Sequence, residues 1–300
     1  MSIPEQYFKA GKIAAEVKPI IKETVHPGIS ALEICDVIKD TVMRKGGSLA
    51  FPTGIGINAI AAHYAPQDKA TVITAKDVVK IDFGVHIEGY LVDTALTVSF
   101  NPEYQTLIRA TEQALDAAIE FVKTEKSIRL LGSAIEAAIL KSGFKPVSDL
   151  AGHNITRYNV HGGKTIPNVN DLGHSHGGMS LVPGDVFAIE PFLTPLRGTG
   201  HVRASQPVTI LALNKLEKTG DTTLDEFTRK IWDERKTLPF TLQWYHNDYP
   251  DKQKLYSIVN NLIVKELITP YPTLVETGMA PVSQFENTMV LDGPELVVLT

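Results

Sequence analysis

Three hundred residues, 43% hydrophobic and 21% charged, give an ordinary globular composition with core enough for one large domain or two smaller ones. A formal charge of −5 gives no electrostatic reason to expect nucleic acid or an anionic membrane as partner, and no run approaches the ~18 apolar residues of a membrane span. The single cysteine, Cys35, excludes an internal disulfide and fits a reducing cytoplasm, and the opening "MSIPEQYFKAGK" has no apolar export core.

In chain order, the first elements are two helices. Phe8, Ile13, Val17, Ile20 and Ile21 recur at helical spacing until "HPG" at 26–28 stops the run. Ser30 with Glu33 forms a capping-box signal for a second helix, which ends at Gly46-Gly47 and carries Cys35 as a small buried hydrophobe. A strand-rich region follows to about residue 100. The order then repeats: amphipathic helices over 106–122 and 129–144, then β-like segments at 185–193 and 283–291. Helix, helix and sheet, twice over, predict an α+β fold of two related halves whose sheets pack together under four helices. Residues 195–275 do not fit the repeat. They are read as an inserted helical subdomain, so that 1–194 and 276–300 form one catalytic domain. Its two helices have a helix-turn-helix flavour, but mixed charge without a basic stripe argues against nucleic acid.

Acids occupy unusual places in this pattern. "VKIDFGVHIEGYLVDTALTV" (79–98) sets Asp82 and Asp93 in apolar, β-branched text. If the chain reverses through His86-Ile87-Glu88-Gly89, Asp82 faces Asp93 across a hairpin, about 4.5–5.5 Å apart at Cβ. Two carboxylates that close repel unless a proton or cation lies between them. Glu190 in "FAIEPFL" and Glu286 in "SQFENTM" are also flanked by apolar residues, and His153 and His161 sit in a Gly-bounded β segment. Asp and Glu are almost never fully buried unless paired, and the surrounding text offers few basic partners, so a shared metal site accounts for all four acids. Four carboxylates and one imidazole exceed the needs of one zinc and suit two carboxylate-bridged divalent ions: manganese, iron, cobalt or zinc.

The stretches "IDFGVHIEGYLVDTA", "GHNITRYNVHGGKTIP", "FAIEPF" and "QFENT" together resemble the methionine aminopeptidases of the pita-bread metallopeptidase fold. The order Asp, Asp, His, Glu, Glu matches that family's five ligands, and the resemblance covers essentially the whole chain. The long insertion ending in "ITPYPTL" resembles the type 2 branch, and the lack of a charged N-terminal extension makes the chain look archaeal rather than eukaryotic. The resemblance implies that Asp82 chelates one ion, that His153 with Glu190 chelates the other, and that Asp93 and Glu286 bridge both. It further implies a hydroxide held between the ions as nucleophile and Glu190 as proton shuttle. His161 and His63 match substrate-binding histidines that stabilise the tetrahedral intermediate, and Phe51 and Tyr271 match a methionine pocket. The implied activity is removal of initiator methionine from nascent chains whose second residue is small, by a cytoplasmic monomer with a transient ribosome contact.

Two rivals follow from the same residues: a proline-directed peptidase of this fold, and a non-catalytic binding relative. The five ligand-type residues argue against the second, and the late insertion against the first. "GIGINA" (54–59) is a near-miss to a dinucleotide fingerprint without the flanking strand and helix. His174 and His176 in "GHSHGG" read as loop histidines. His201 is the one histidine near a further pocket position of type 2 enzymes, and the text around it departs from the family pattern.

Overall fold

The structure is a computed structural model that describes residues 3–170 and 179–300. Helices α1 (Glu5–Thr24) and α2 (Ala31–Arg44) open the chain. α1 buries Ile13, Val17 and Ile21, while Phe8 and Ile20 are only partly covered. α2 begins with the expected capping box: Glu33 N–H donates to Ser30 Oγ at 3.2 Å and Ser30 N–H donates to Glu33 Oε2 at 3.1 Å. These bonds satisfy amide donors that a helix start would otherwise leave free.

Strands β1 (Ser48–Leu49), β2 (Gly54–Ile57) and β3 (Ile60–Ala62) lead into the long hairpin of β4 (Val78–Ile87) and β5 (Tyr90–Ser99). β4 pairs with β5 along one edge and with β2 and β1 in succession along the other. The hairpin corrects the expected register. It turns on Glu88 and Gly89 alone, with φ of 53° and 84°, the two left-handed positions of a two-residue hairpin turn. Ile87 therefore pairs with Tyr90, Asp82 with Ala95 and Asp93 with Gly84. Asp82 and Asp93 are diagonal rather than opposed. They still share one sheet face, because a shift of two residues preserves side-chain parity.

The second half repeats the order. Helices α3 (Gln105–Thr124) and α4 (Ile128–Lys141) precede β6 (Lys145–Pro146), β7 (Ala151–Ile155), β8 (Thr165–Pro167), β9 (Val186–Ile189) and β10 (Phe192–Thr194). Next come β11 (Val202–Leu213), α5 (Thr222–Arg235), α6 (Lys252–Val264), β12 (Ile268–Glu276), β13 (Ser283–Gln284), β14 (Asn287–Asp292) and β15 (Glu295–Val298). A five-stranded sheet runs β15-β14-β9-β7-β8, so β9 and β14, which flank the long segment in sequence, are neighbours in space. The stretch 195–275 holds the two expected helices and also the long strands β11 and β12, which pair with each other and reach β3. Most of its buried apolar residues between Leu211 and Ile268 form a cluster of their own, while Leu238 joins the main core. The main core joins the first four helices to the sheets of both halves.

A short antiparallel seam joins the sheets of the two halves. Glu286 N–H donates to the Ala95 carbonyl at 3.0 Å, and Ala95 N–H returns a 3.3 Å bond to the Glu286 carbonyl. On either side a threonine hydroxyl replaces the next rung. Thr97 Oγ1 donates to the Gln284 carbonyl at 2.6 Å and accepts from its N–H at 2.9 Å. Thr288 Oγ1 does the same for Asp93, at 2.8 and 2.7 Å.

Candidate metal centre

The seam brings the acids of the two halves together. Asp82 and Asp93 come from the first hairpin, His153 from β7, Glu190 from the residue after β9, and Glu286 from the residue before β14. Asp93, His153 and Glu286 are buried, and each offers one ligand atom within 4.8 Å of the other two. His153 Nε2 lies 3.6 Å from Asp93 Oδ2 and 3.6 Å from Glu190 Oε1. Burial pushes the His153 imidazole down to about 3, so it is neutral near pH 7 and has a lone pair to give. Burial pushes Asp82 up to about 6. Glu190, Asp93 and Glu286 are raised well above the ordinary carboxylate range, by burial and then by the charge of neighbouring carboxylates, Asp82 acting on all three.

The donor set fits divalent cations. Asp82 Oδ1, Asp93 Oδ1 and Glu286 Oε1 are buried without a hydrogen-bond partner among the described residues. The side-chain amide of Gln284 faces three of the carboxylates, at 3.4 Å from Asp82 Oδ2, 3.2 Å from Glu190 Oε2 and 3.4 Å from Glu286 Oε2. One NH₂ has two protons and cannot satisfy three acceptors. Unpaired acceptors of one sign, converging with a neutral imidazole, suit a cation with a preference for oxygen ligands.

Beside this cluster lies a cavity of about 310 Å³ lined by Asp82, Asp93, His153 and Glu190 at one end. Phe51, Phe192, Ile210 and Leu274 give it an apolar wall, and His63, His161 and Tyr271 also line it. His63 follows β3 with φ of 63°, and its ring meets Tyr271 edge to face at 5.6 Å. Burial pushes His63 down to about 4, which leaves it neutral near pH 7. His161 lies in a loop rather than a strand, which corrects the β reading of that segment; the chain turns at Tyr158, with φ of 59°. Its ring sits edge to face against His153 at 4.6 Å and 6.1 Å from Tyr271.

His201 points elsewhere. It is exposed, with Nδ1 2.8 Å from Asp149 Oδ1, and Asp149 rather than His201 lines the cavity. His174 and His176 lie outside the described residues. Sequence reading passed over Gln284 and the threonine rungs at Thr97 and Thr288. Gln284 stands inside the quoted "QFENT", and a fully buried amide in strand text is itself a sign of polar neighbours. The threonines carry no such sign, because threonine is ordinary strand composition.

Residues 5–212 match the metallopeptidase family M24. The chain is 36% identical over 297 residues to a methionine aminopeptidase of Pyrococcus horikoshii, covering 99% of each chain. Among solved structures, a thermophilic Arx1 superposes with a TM-score of 0.82 at 17% identity, covering 98% of this chain and 89% of that one. The methionine aminopeptidase of Thermotoga maritima superposes with a TM-score of 0.70 at 19% identity, covering 100% and 99%. At such identities these superpositions establish the fold.

Proposed function

This chain belongs to metallopeptidase family M24, and on that premise we propose how it works as a metal-dependent aminopeptidase. It removes the initiator methionine from proteins, a reading supported by a full-length relative named a methionine aminopeptidase. Asp82, Asp93, His153, Glu190 and Glu286 would together hold two divalent ions, Asp82 serving one, His153 with Glu190 the other, and Asp93 and Glu286 both. The observation that carries this reading is the convergence of buried Asp93, His153 and Glu286, with Asp82 and Glu190 at the same cavity and three carboxylate oxygens left without a donor among the described residues. When bound, such ions polarise a carbonyl and make a nucleophilic water available near neutral pH.

The chain's own residues do the rest. Phe51 and Tyr271 hold the methionine side chain, a polarizable thioether suited to aromatic edges. His63 and His161 stand at the same cavity as neutral donors for the negative charge that grows on the peptide oxygen. Glu190 takes a proton from the attacking water and passes it to the departing amine as the carbon–nitrogen bond breaks. Water oxygen ends on the methionine carboxylate and the proton on the new N-terminus. A confined space beyond the first residue excludes large second side chains, so selection works by clash.

Substrates are N-termini of nascent chains, which suits a cytoplasmic monomer that touches the ribosome in passing; among the described residues no helix is long and apolar enough to cross a membrane. Residues 195–275 are proposed as an insertion into the catalytic domain, supported by their separate apolar cluster. The test of the metal assignment is a titration of manganese or cobalt into chelator-treated protein. Turnover should saturate at two ions per chain, and Asp82→Asn should lower the capacity for ions. Full activity at one ion per chain, or an Asp82→Asn protein with unchanged metal capacity, overturns it.

A further inference from the structure

Arg235 ends helix α5 and is not among the residues that line the cavity. Its guanidinium nevertheless holds the backbone of two segments that do. Nη2 donates to the carbonyls of Leu49 and Ala50 at 3.0 and 3.1 Å, and Nε donates to the carbonyl of Pro239 at 3.1 Å. Ala50 is followed by Phe51, and both Phe51 and Pro239 line the cavity. The guanidinium plane is covered by Trp244, 4.6 Å from Cζ to the ring centre. Among the described residues no carboxylate pairs with Arg235 within ion-pair distance, so its charge is spent on carbonyl dipoles.

The far side of Phe51 is fixed as well. Ala50 N–H donates to the Gly84 carbonyl at 2.8 Å, and the Phe51 ring lies so close over Gly84 that a Cβ there would collide with it. Gly84 in turn pairs with Asp93 across the hairpin. One guanidinium thus ties α5 and the Pro239 segment to the segment that sets Phe51 in the cavity wall.

We propose that Arg235 is a positioning residue for the first-residue pocket, setting the distance between its Phe51 and Pro239 walls without touching substrate. The inference rests on the reading that this cavity takes the methionine side chain. A pocket held open at the right width before binding costs the ligand nothing to form, so loosening the wall weakens binding of the ground state and transition state alike. That signature is a raised KM with kcat little changed.

Arg235→Met keeps an unbranched apolar stem and removes all three bonds. Arg235→Lys keeps the charge but can serve fewer of the three carbonyls, since an ammonium lacks the planar fork. With metal content matched, steady-state cleavage of Met-Ala-Ser should show KM raised on the order of tenfold in Arg235→Met. The rise should be smaller in Arg235→Lys, with kcat within about twofold of wild type in both. KM does not depend on the fraction of protein that is folded, so partial misfolding cannot imitate this result. If Arg235→Met yields no folded protein, Arg235→Lys alone decides by the same criterion. An unchanged KM, or a loss confined to kcat, overturns the inference while leaving the pocket reading intact. A wild-type protein that releases no methionine overturns the pocket reading itself.

Discussion

His63 and His161 are neutral rings at the cavity that no ligand assignment needs, and this separates their fate from that of Glu190. Replacing either histidine by alanine should leave metal content near wild type while kcat falls by about 10²–10³, the usual cost of removing one donor to a developing oxyanion. Metal analysis beside turnover checks this; an emptied ion site would make that histidine a ligand. Glu190→Gln should reduce metal occupancy and rate together, because one residue serves both as ligand and as proton carrier. Full activity in that variant would leave the mechanism without its base. At this scale the sequence was most legible. Asp82, Asp93, Glu190 and Glu286 stood out as charges in apolar text, where burial without a partner is too costly to be incidental. Gln284 carried a weaker signal, a polar amide in strand text, because an amide has no charge to make its burial conspicuous.

Among elements, helices were read well and strand partners less so. Ile13, Val17 and Ile21 fall on one buried face of α1, and the Ser30–Glu33 box starts α2, since both signals are local. The hairpin register was missed by two residues because Glu88-Gly89 lacks the Asn-Gly or Asp-Gly signature of a two-residue turn. β11 and β12 were missed for another reason. Pro207 interrupts the first, near a register shift between Ser205 and Ile210, and Pro270 and Pro272 interrupt the second. Proline in a strand-like run normally argues against a strand. The seam between halves offers the sharpest element-scale test. Thr288→Val keeps the shape but removes the hydroxyl that both donates to and accepts from the Asp93 backbone. Two buried backbone groups would lose their partner, at a cost of about 1–3 kcal/mol each. The thermal midpoint should fall and metal affinity should weaken, because Asp93 is anchored there. A Thr288→Val protein with unchanged midpoint and metal affinity would show that the strand bridge alone holds the seam.

For the whole molecule, cations bound at these carboxylates would also act as a stability device. Burial raises Asp82 from 3.8 to about 6, and burial followed by the charge of neighbouring carboxylates, Asp82 among them, raises Asp93, Glu190 and Glu286 well above their ordinary range. In metal-free protein the folded chain then binds more protons than the unfolded chain above their ordinary carboxylate values. By linkage, stability must fall as pH rises through about 4 to 6 and beyond. Bound divalent cations replace those protons and add their own binding energy to the folded state. The midpoint gap between metal-loaded and chelator-treated protein should therefore widen between about pH 5 and pH 8. A gap that narrows over that range would mean the carboxylates are not paired with the cation. The two-halved plan itself was visible in the repeat of helix, helix and sheet. That Ala95 would pair with Glu286 was not, since nothing local to either residue encodes a partner so far along the chain.

Release of the first residue from short peptides tests the central claim most directly. Protein reloaded with manganese or cobalt is incubated with Met-Ala-Ser, Met-Lys-Ser and Ala-Pro-Ala, and the freed amino acid is identified. The account requires free methionine from Met-Ala-Ser, far less from Met-Lys-Ser, none of the alanine from Ala-Pro-Ala, and loss of all release on chelation. Alanine released from Ala-Pro-Ala with Met-Ala-Ser left whole would contradict it and make this chain a proline-directed peptidase of the same fold.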